Sequence, residues 1–163
     1  MARIRAVIFD VDGTLLDSND AQAHAWLDAL RGHGKNVPFD LVRSKIGMGG
    51  DRLVRELAGA EPDSTHGRAI VEHRKAILKA HYVPDLAPLP GARTLVERVR
   101  ARGFAYAVAT SAGLDEIADL LRAAAVADLF EVVVSADDVG RSKPSPDVVE
   151  VARERLGAEP GET

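Results

Sequence analysis

Apolar residues cluster from Ile4 to Phe9, interrupted by Arg5, and the run stops at a pair of acids, Asp10 and Asp12. The Ile, Val and Phe content of this stretch predicts a buried strand over Arg3 to Asp10. From Ser18 to His33 the pattern changes period. Ala21, Ala25, Trp26 and Leu30 recur at helical spacing, with Ser18 or Asn19 suited to cap the start and Gly32 and Gly34 to end it. The stretch VPFDLVRSKIGMGGDRLVRELAG predicts two short helices around the loop Gly47 to Gly50. A longer helix is expected over Asp63 to Tyr82, with Ile70, His73, Ile77, Leu78 and His81 on one side. Arg68, Arg74, Lys75 and Lys79, set among acids, read as its solvated face. The proline-rich segment Val83 to Gly91 cannot continue that helix and reads as a linker.

Beyond Gly91 the segments alternate. GARTLVERVRARG predicts a helix, FAYAVAT a strand, LDEIADLLRAAA a helix, EVVVSA a strand, and SPDVVEVARERLG a helix with Pro146 in its first turn. Strands and helices joined by short links define parallel βαβ units. The expected fold is therefore α/β. Its parallel core is built from residues 1–15 and 88–163, and residues 16–87 form an all-helical insertion.

Composition narrows the function without naming it. Of 163 residues, 46% are hydrophobic and 28% charged, ordinary for a globular protein. No apolar run approaches the roughly 18 residues of a membrane span, and Ala6 to Phe9 is too short for the apolar part of a signal peptide. With no cysteine there is no disulfide, thiol nucleophile or thiolate metal site. A cytoplasmic location is expected, with no membrane partner. The net charge of −4 argues against a nucleic-acid partner bound through its phosphates.

In a parallel sheet, ligands bind beyond the carboxyl ends of the strands. Three expected strands end in polar groups: Asp10; Thr110 with Ser111; and the Ser135–Asp138 stretch that leads to Lys143. A carboxylate, a hydroxyl and an ammonium meeting at one edge suit a phosphate and an oxygen-liganded Mg²⁺. DVDGT could also form a hairpin turn, but LLDSND after it reads as a helix entry rather than a returning strand. An EF-hand calcium loop would need a longer acid-rich half before the glycine and a closing Glu. Gly47-Met48-Gly49-Gly50 lacks the spacing of a nucleotide-binding loop.

These motifs, in this order, resemble the haloacid dehalogenase-like hydrolase superfamily: DxDGT at Asp10–Thr14, a strand-ending Thr at Thr110, and Lys143 followed by Pro. The resemblance implies a Rossmann-like core with a helical cap, and IGMGGDRL resembles the cap loop of phosphoglycolate phosphatase-like and β-phosphoglucomutase-like relatives. It implies Asp10 as nucleophile, Asp12 as general acid and base, Thr110 as phosphate ligand and Lys143 as charge balance. Asp10 and Asp12 would hold Mg²⁺. Substrate contacts would come from Thr14, Ser111, Gly47 and Arg52, with Lys45 as a further candidate. Relatives that displace halide lack an acid at the position of Asp12, so the implied substrate is a small phosphorylated metabolite. The family's fourth motif, an acidic pair closing a further strand, is not found before Thr163. The core is thus expected to be truncated at its C-terminus, its activity weak, and its unpaired sheet edge open to self-association. Asp137 and Asp138 read as turn formers rather than replacement ligands. A phosphosugar mutase, or a non-catalytic fragment or interaction module, are the alternative functions.

Overall fold

The computed structural model describes residues 3–163. Three parallel strands, β1 (Ala6–Phe9), β2 (Ala105–Ala109) and β3 (Val133–Val134), form one sheet in that spatial order. Phe9 stands opposite Val108, and Val108 opposite Val133. The strands' two-residue period sorts their side chains between two layers. Val7, Phe9, Tyr106 and Val108 face a cluster built with Val96 of α5 (Ala92–Ala101) and Ile117, Leu120 and Leu121 of α6 (Leu114–Ala123). Ile8, Ala107, Ala109 and Val134 face Val148 and Ala152 of α7 (Asp147–Arg155). The sheet is covered on both faces, as buried parallel strands require.

β1 is shorter than the sequence suggests. Ile4 is 49% exposed, and the N–H groups of Arg5 and Ala6 donate to the Glu162 carbonyl at 2.8 and 3.0 Å. The last residues of the chain therefore lie beside the free edge of β1. β3 shrinks to two residues because Ser135 leaves the sheet to start a turn, in which Asp138 accepts from both the Ser135 N–H and its hydroxyl.

The helical segment has a core of its own. It comprises α1 (Asn19–Gly32), α2 (Phe39–Arg43), α3 (Gly50–Leu53) and α4 (Thr65–Ile77). A single wide π-type turn extends α3 through Val54–Ala58, and another extends α4 through Leu78–Tyr82. Trp26, Leu30, Val42, Leu53, Val54 and Ile70 are buried together there, apart from the sheet clusters. Two strands of backbone, side by side, join this segment to the sheet: Asp17 N–H donates to the Ala87 carbonyl, and Leu89 N–H to the Leu15 carbonyl, each at 3.0 Å. Among the described residues no helix is long and apolar enough to cross a membrane.

Candidate active site

The three strand-end groups converge. Asp10 directly follows β1. Its Oδ1 accepts from Val11 N–H at 2.9 Å and from Lys143 Nζ at 2.8 Å. The same ammonium donates to the Ala109 carbonyl at the end of β2, at 2.9 Å. Thr110, fully buried, continues β2. Its N–H donates to the Val134 carbonyl, and its Oγ1 accepts from Ala112 N–H, which leaves the hydroxyl proton available to a ligand. Parallel pairing causes this convergence, because it aligns the carboxyl ends of strands far apart in sequence. The tight turn after β1 depends on Gly13, whose φ of 74° is a left-handed conformation open to glycine.

Asp12 points the other way, toward the helical segment. Its Oδ1 accepts from the Ser18 hydroxyl and, at 3.0 Å, from Gln22 Nε2. Both donors come from the start of α1. Ser18 thus serves Asp12 rather than capping the helix, which has no side-chain cap. Asp12 lines a narrow, half-open pocket of about 30 Å³ between sheet and helices, together with Gln22, Trp26, Gly47, Met48, Arg74, Ser111 and other residues. That volume holds a water or two.

Arg74 corrects the sequence reading. It is buried, with 6% of its surface exposed, and does not lie on a solvated face. Its guanidinium stacks over the Trp26 ring at 5.2 Å and donates through Nη1 to Glu116 on α6 and to Gln22 Oε1. Its Nε–H has no protein acceptor. The sequence did carry the signal: Ile70, Arg74 and Leu78 are spaced by four, and the outer two are core residues. Ser18, Gln22 and Trp26 repeat that spacing on α1. Glu116 carried no such mark, since its partner lies 42 positions away. Burial raises the Glu116 carboxyl above its ordinary pKa, against the pull of Arg74 and Lys75.

Other expected contacts divide. Ser111 and Gly47 both line the chamber, and the Ser111 hydroxyl donates to the Gly47 carbonyl at 3.0 Å, which ties the helical loop to the sheet. Gly49 docks beside them. Its N–H donates to the Lys143 carbonyl, and a Cβ there would stand 2.2 Å from Ser142 Cβ. Arg52 instead lines an open cleft with Asp51, Arg55 and Arg141, and Thr14 is exposed in the turn after β1; neither lines the chamber. Lys45 pairs with Glu56. Asp137 accepts from Leu114 N–H, and Asp138 is held below the usual carboxylate range by the Ser135 N–H and then by Arg155. Both acids form turns.

Among the described residues no group of three or more His, Cys, Asp or Glu side chains could hold a metal. Asp10 accepts its hydrogen bonds on Oδ1, which leaves a carboxylate oxygen free, and one such oxygen fits Mg²⁺ bound mostly by water and substrate.

Residues 4–163 match the family model described as haloacid dehalogenase-like hydrolase. The chain is 38% identical to a phosphoglycolate phosphatase of Nitrosospira multiformis, over 96% of this chain and 71% of that protein. It is 29% identical to a phosphorylated carbohydrates phosphatase of Thermotoga maritima, over 96% of this chain and 73% of that one. A crystal structure of a hydrolase from Pseudomonas syringae superimposes with a TM-score of 0.88 at 28% identity, covering 99% of this chain and 74% of the other. The chain belongs to the haloacid dehalogenase-like hydrolase family. Within that family it is a hydrolase of the phosphatase kind, shorter than the relatives it matches.

Proposed function

We propose that the chain hydrolyses small phosphorylated metabolites through an aspartyl-phosphate on Asp10, with Mg²⁺ as cofactor. The observation that carries this reading is the Lys143 ammonium, 2.8 Å from Asp10 and 2.9 Å from the end of β2. In this mechanism the Asp10 carboxylate attacks phosphorus through one oxygen and leaves the other for the cation, and the ester oxygen departs toward Asp12. Asp12 protonates that oxygen, then takes a proton from the water that cleaves the intermediate. Ser18 and Gln22 hold Asp12 in place for both steps. The Thr110 hydroxyl donates to a phosphoryl oxygen, and Lys143 balances charge between Asp10 and the phosphate. Mg²⁺, held by the Asp10 carboxylate and the Asp12 backbone carbonyl, would offset the repulsion between two anions, roughly 4 kcal/mol per pair of unit charges at 4 Å and an effective dielectric of 20.

The helical segment acts here as a cap. The pocket beside Asp12 is narrow, so the alcohol of a phosphate ester gains room when the cap lifts, and closure then excludes water. Asp10→Asn provides the test. Phosphate release from a panel of phosphate monoesters with Mg²⁺ should fall to background in the variant, and acid quenching should trap phosphoprotein only in the parent chain. Equal turnover by parent and variant would reject the reading.

A further inference from the structure

Resting on that reading, we propose that the Arg74–Glu116 pair selects substrates whose leaving alcohol is neutral and hydroxylated, and disfavours alcohols that carry a carboxylate. The chamber beside Asp12 receives the leaving group, because Asp12 is the group that protonates it. Its charged lining is Asp12 and Arg74. Arg74 is the residue that would attract a carboxylate, yet its charge is already matched. Glu116 accepts from Nη1, and both side chains are nearly buried, at 8% and 10% exposed. Two charges in such a setting are coupled far more strongly than a surface pair. A carboxylate entering the chamber would meet no uncompensated cation, and would face the Asp12 carboxyl group. Gln22 and Ser111 also line the chamber and offer hydrogen-bonding groups to a hydroxyl without adding charge. Trp26 and Met48 offer apolar surface to the carbon chain. Chambers that combine apolar walls with a few fixed polar groups suit this kind of ligand.

The pair also spans the seam between cap and sheet, so the filter is assembled when the cap closes. Glu116→Gln keeps an oxygen for Arg74 and removes the charge, which frees the guanidinium to attract an anion.

The test compares glycerol 3-phosphate with 2-phosphoglycolate, compounds of similar size with neutral and anionic alcohols. Ester dissociation constants are measured by calorimetry with Mg²⁺ in an Asp10→Asn background, where neither ester is hydrolysed and which is the parent for the ester comparison, and emission of Trp26, the single tryptophan, reports occupancy of the chamber. Beryllium fluoride is titrated alongside as a probe of Asp10 alone. Glycerol 3-phosphate should bind the parent chain at least about tenfold more tightly, and Glu116→Gln should shift the ratio about tenfold toward 2-phosphoglycolate. A parent chain that prefers 2-phosphoglycolate overturns the proposal whether or not the variant folds. So does a ratio unmoved by the substitution, with folding checked by circular dichroism. Beryllium fluoride binding without either ester would reject the filter and leave the phosphatase reading intact. Silence to all three would remove the phosphatase reading, and the filter with it.

Discussion

The two halves of the site are built differently. At the proposed phosphate end, Asp10 and Thr110 stand at the ends of paired parallel strands, and Lys143 is tied to them through its ammonium, which donates to Asp10 and to the Ala109 carbonyl. At the leaving-group end, the chamber closes across a seam of side-chain contacts: Arg74 to Glu116, Lys75 to Asp115, Lys79 to Asp119, and the Ser111 hydroxyl to Gly47. The hydrophobic cores of sheet and helices stop short of that seam. A polar seam can open at modest cost, because its groups exchange partners with water. A strand end cannot move without breaking the ladder. In the proposed mechanism the strand ends that would bind the constant phosphate are fixed by the sheet, and the geometry that would read the variable alcohol is separable.

The largest effect should come from the helical core. Trp26→Ala removes a ring that is 1% exposed, and should cost about 3–5 kcal/mol in urea unfolding. A loss below 1 kcal/mol would mean the helical segment adds little to the fold. Next, Lys143→Ala should lower kcat/KM by roughly 100- to 1,000-fold, as loss of one preorganised charge donor does, while the melting temperature moves little. Smaller again, Gly49→Ala should reduce kcat/KM about tenfold without changing stability, since its Cβ would press on Ser142 only when the cap is down. Unchanged kinetics would show that the loop does not dock during turnover.

The weakest effect is expected at the outer rung of the seam. Lys79→Ala should cost under about 1 kcal/mol, because the Lys79 side chain is 72% exposed. It has a pH signature. Lys79, then Arg122, hold the Asp119 carboxyl below its ordinary value. The folded chain therefore gains stability from Asp119 above about pH 3.9, and loses it as pH falls through the depressed value. Unfolding curves of the variant should depend less on pH in that acid range. An identical slope would show that Lys79 does not hold Asp119.

Much of the fold could be read from one-dimensional patterns. The α/β alternation after Gly91, the helices from Ser18 to Tyr82, and the polar residues closing each strand all follow from periods of two and 3.6 and from Gly and Pro punctuation. The errors lay at element ends. Arg3 to Asp10 reads as one strand, but β1 spans only Ala6 to Phe9, because pairing with β2 sets where a strand begins. Arg74 has the charge of a surface residue but the position of a core one, between Ile70 and Leu78 on the buried stripe.

By itself, the sequence determined which residues stand at the strand ends, since strand position and residue type are local properties. Whether those ends meet, and which acid serves Arg74, was decided by tertiary structure alone. Lys143 reaches Asp10 across 133 positions, and Arg74 reaches Glu116 across 42. The physical reason is that a hydrogen bond or ion pair depends on separation in space, and periodicity along a chain carries no record of which distant surface will be folded against it.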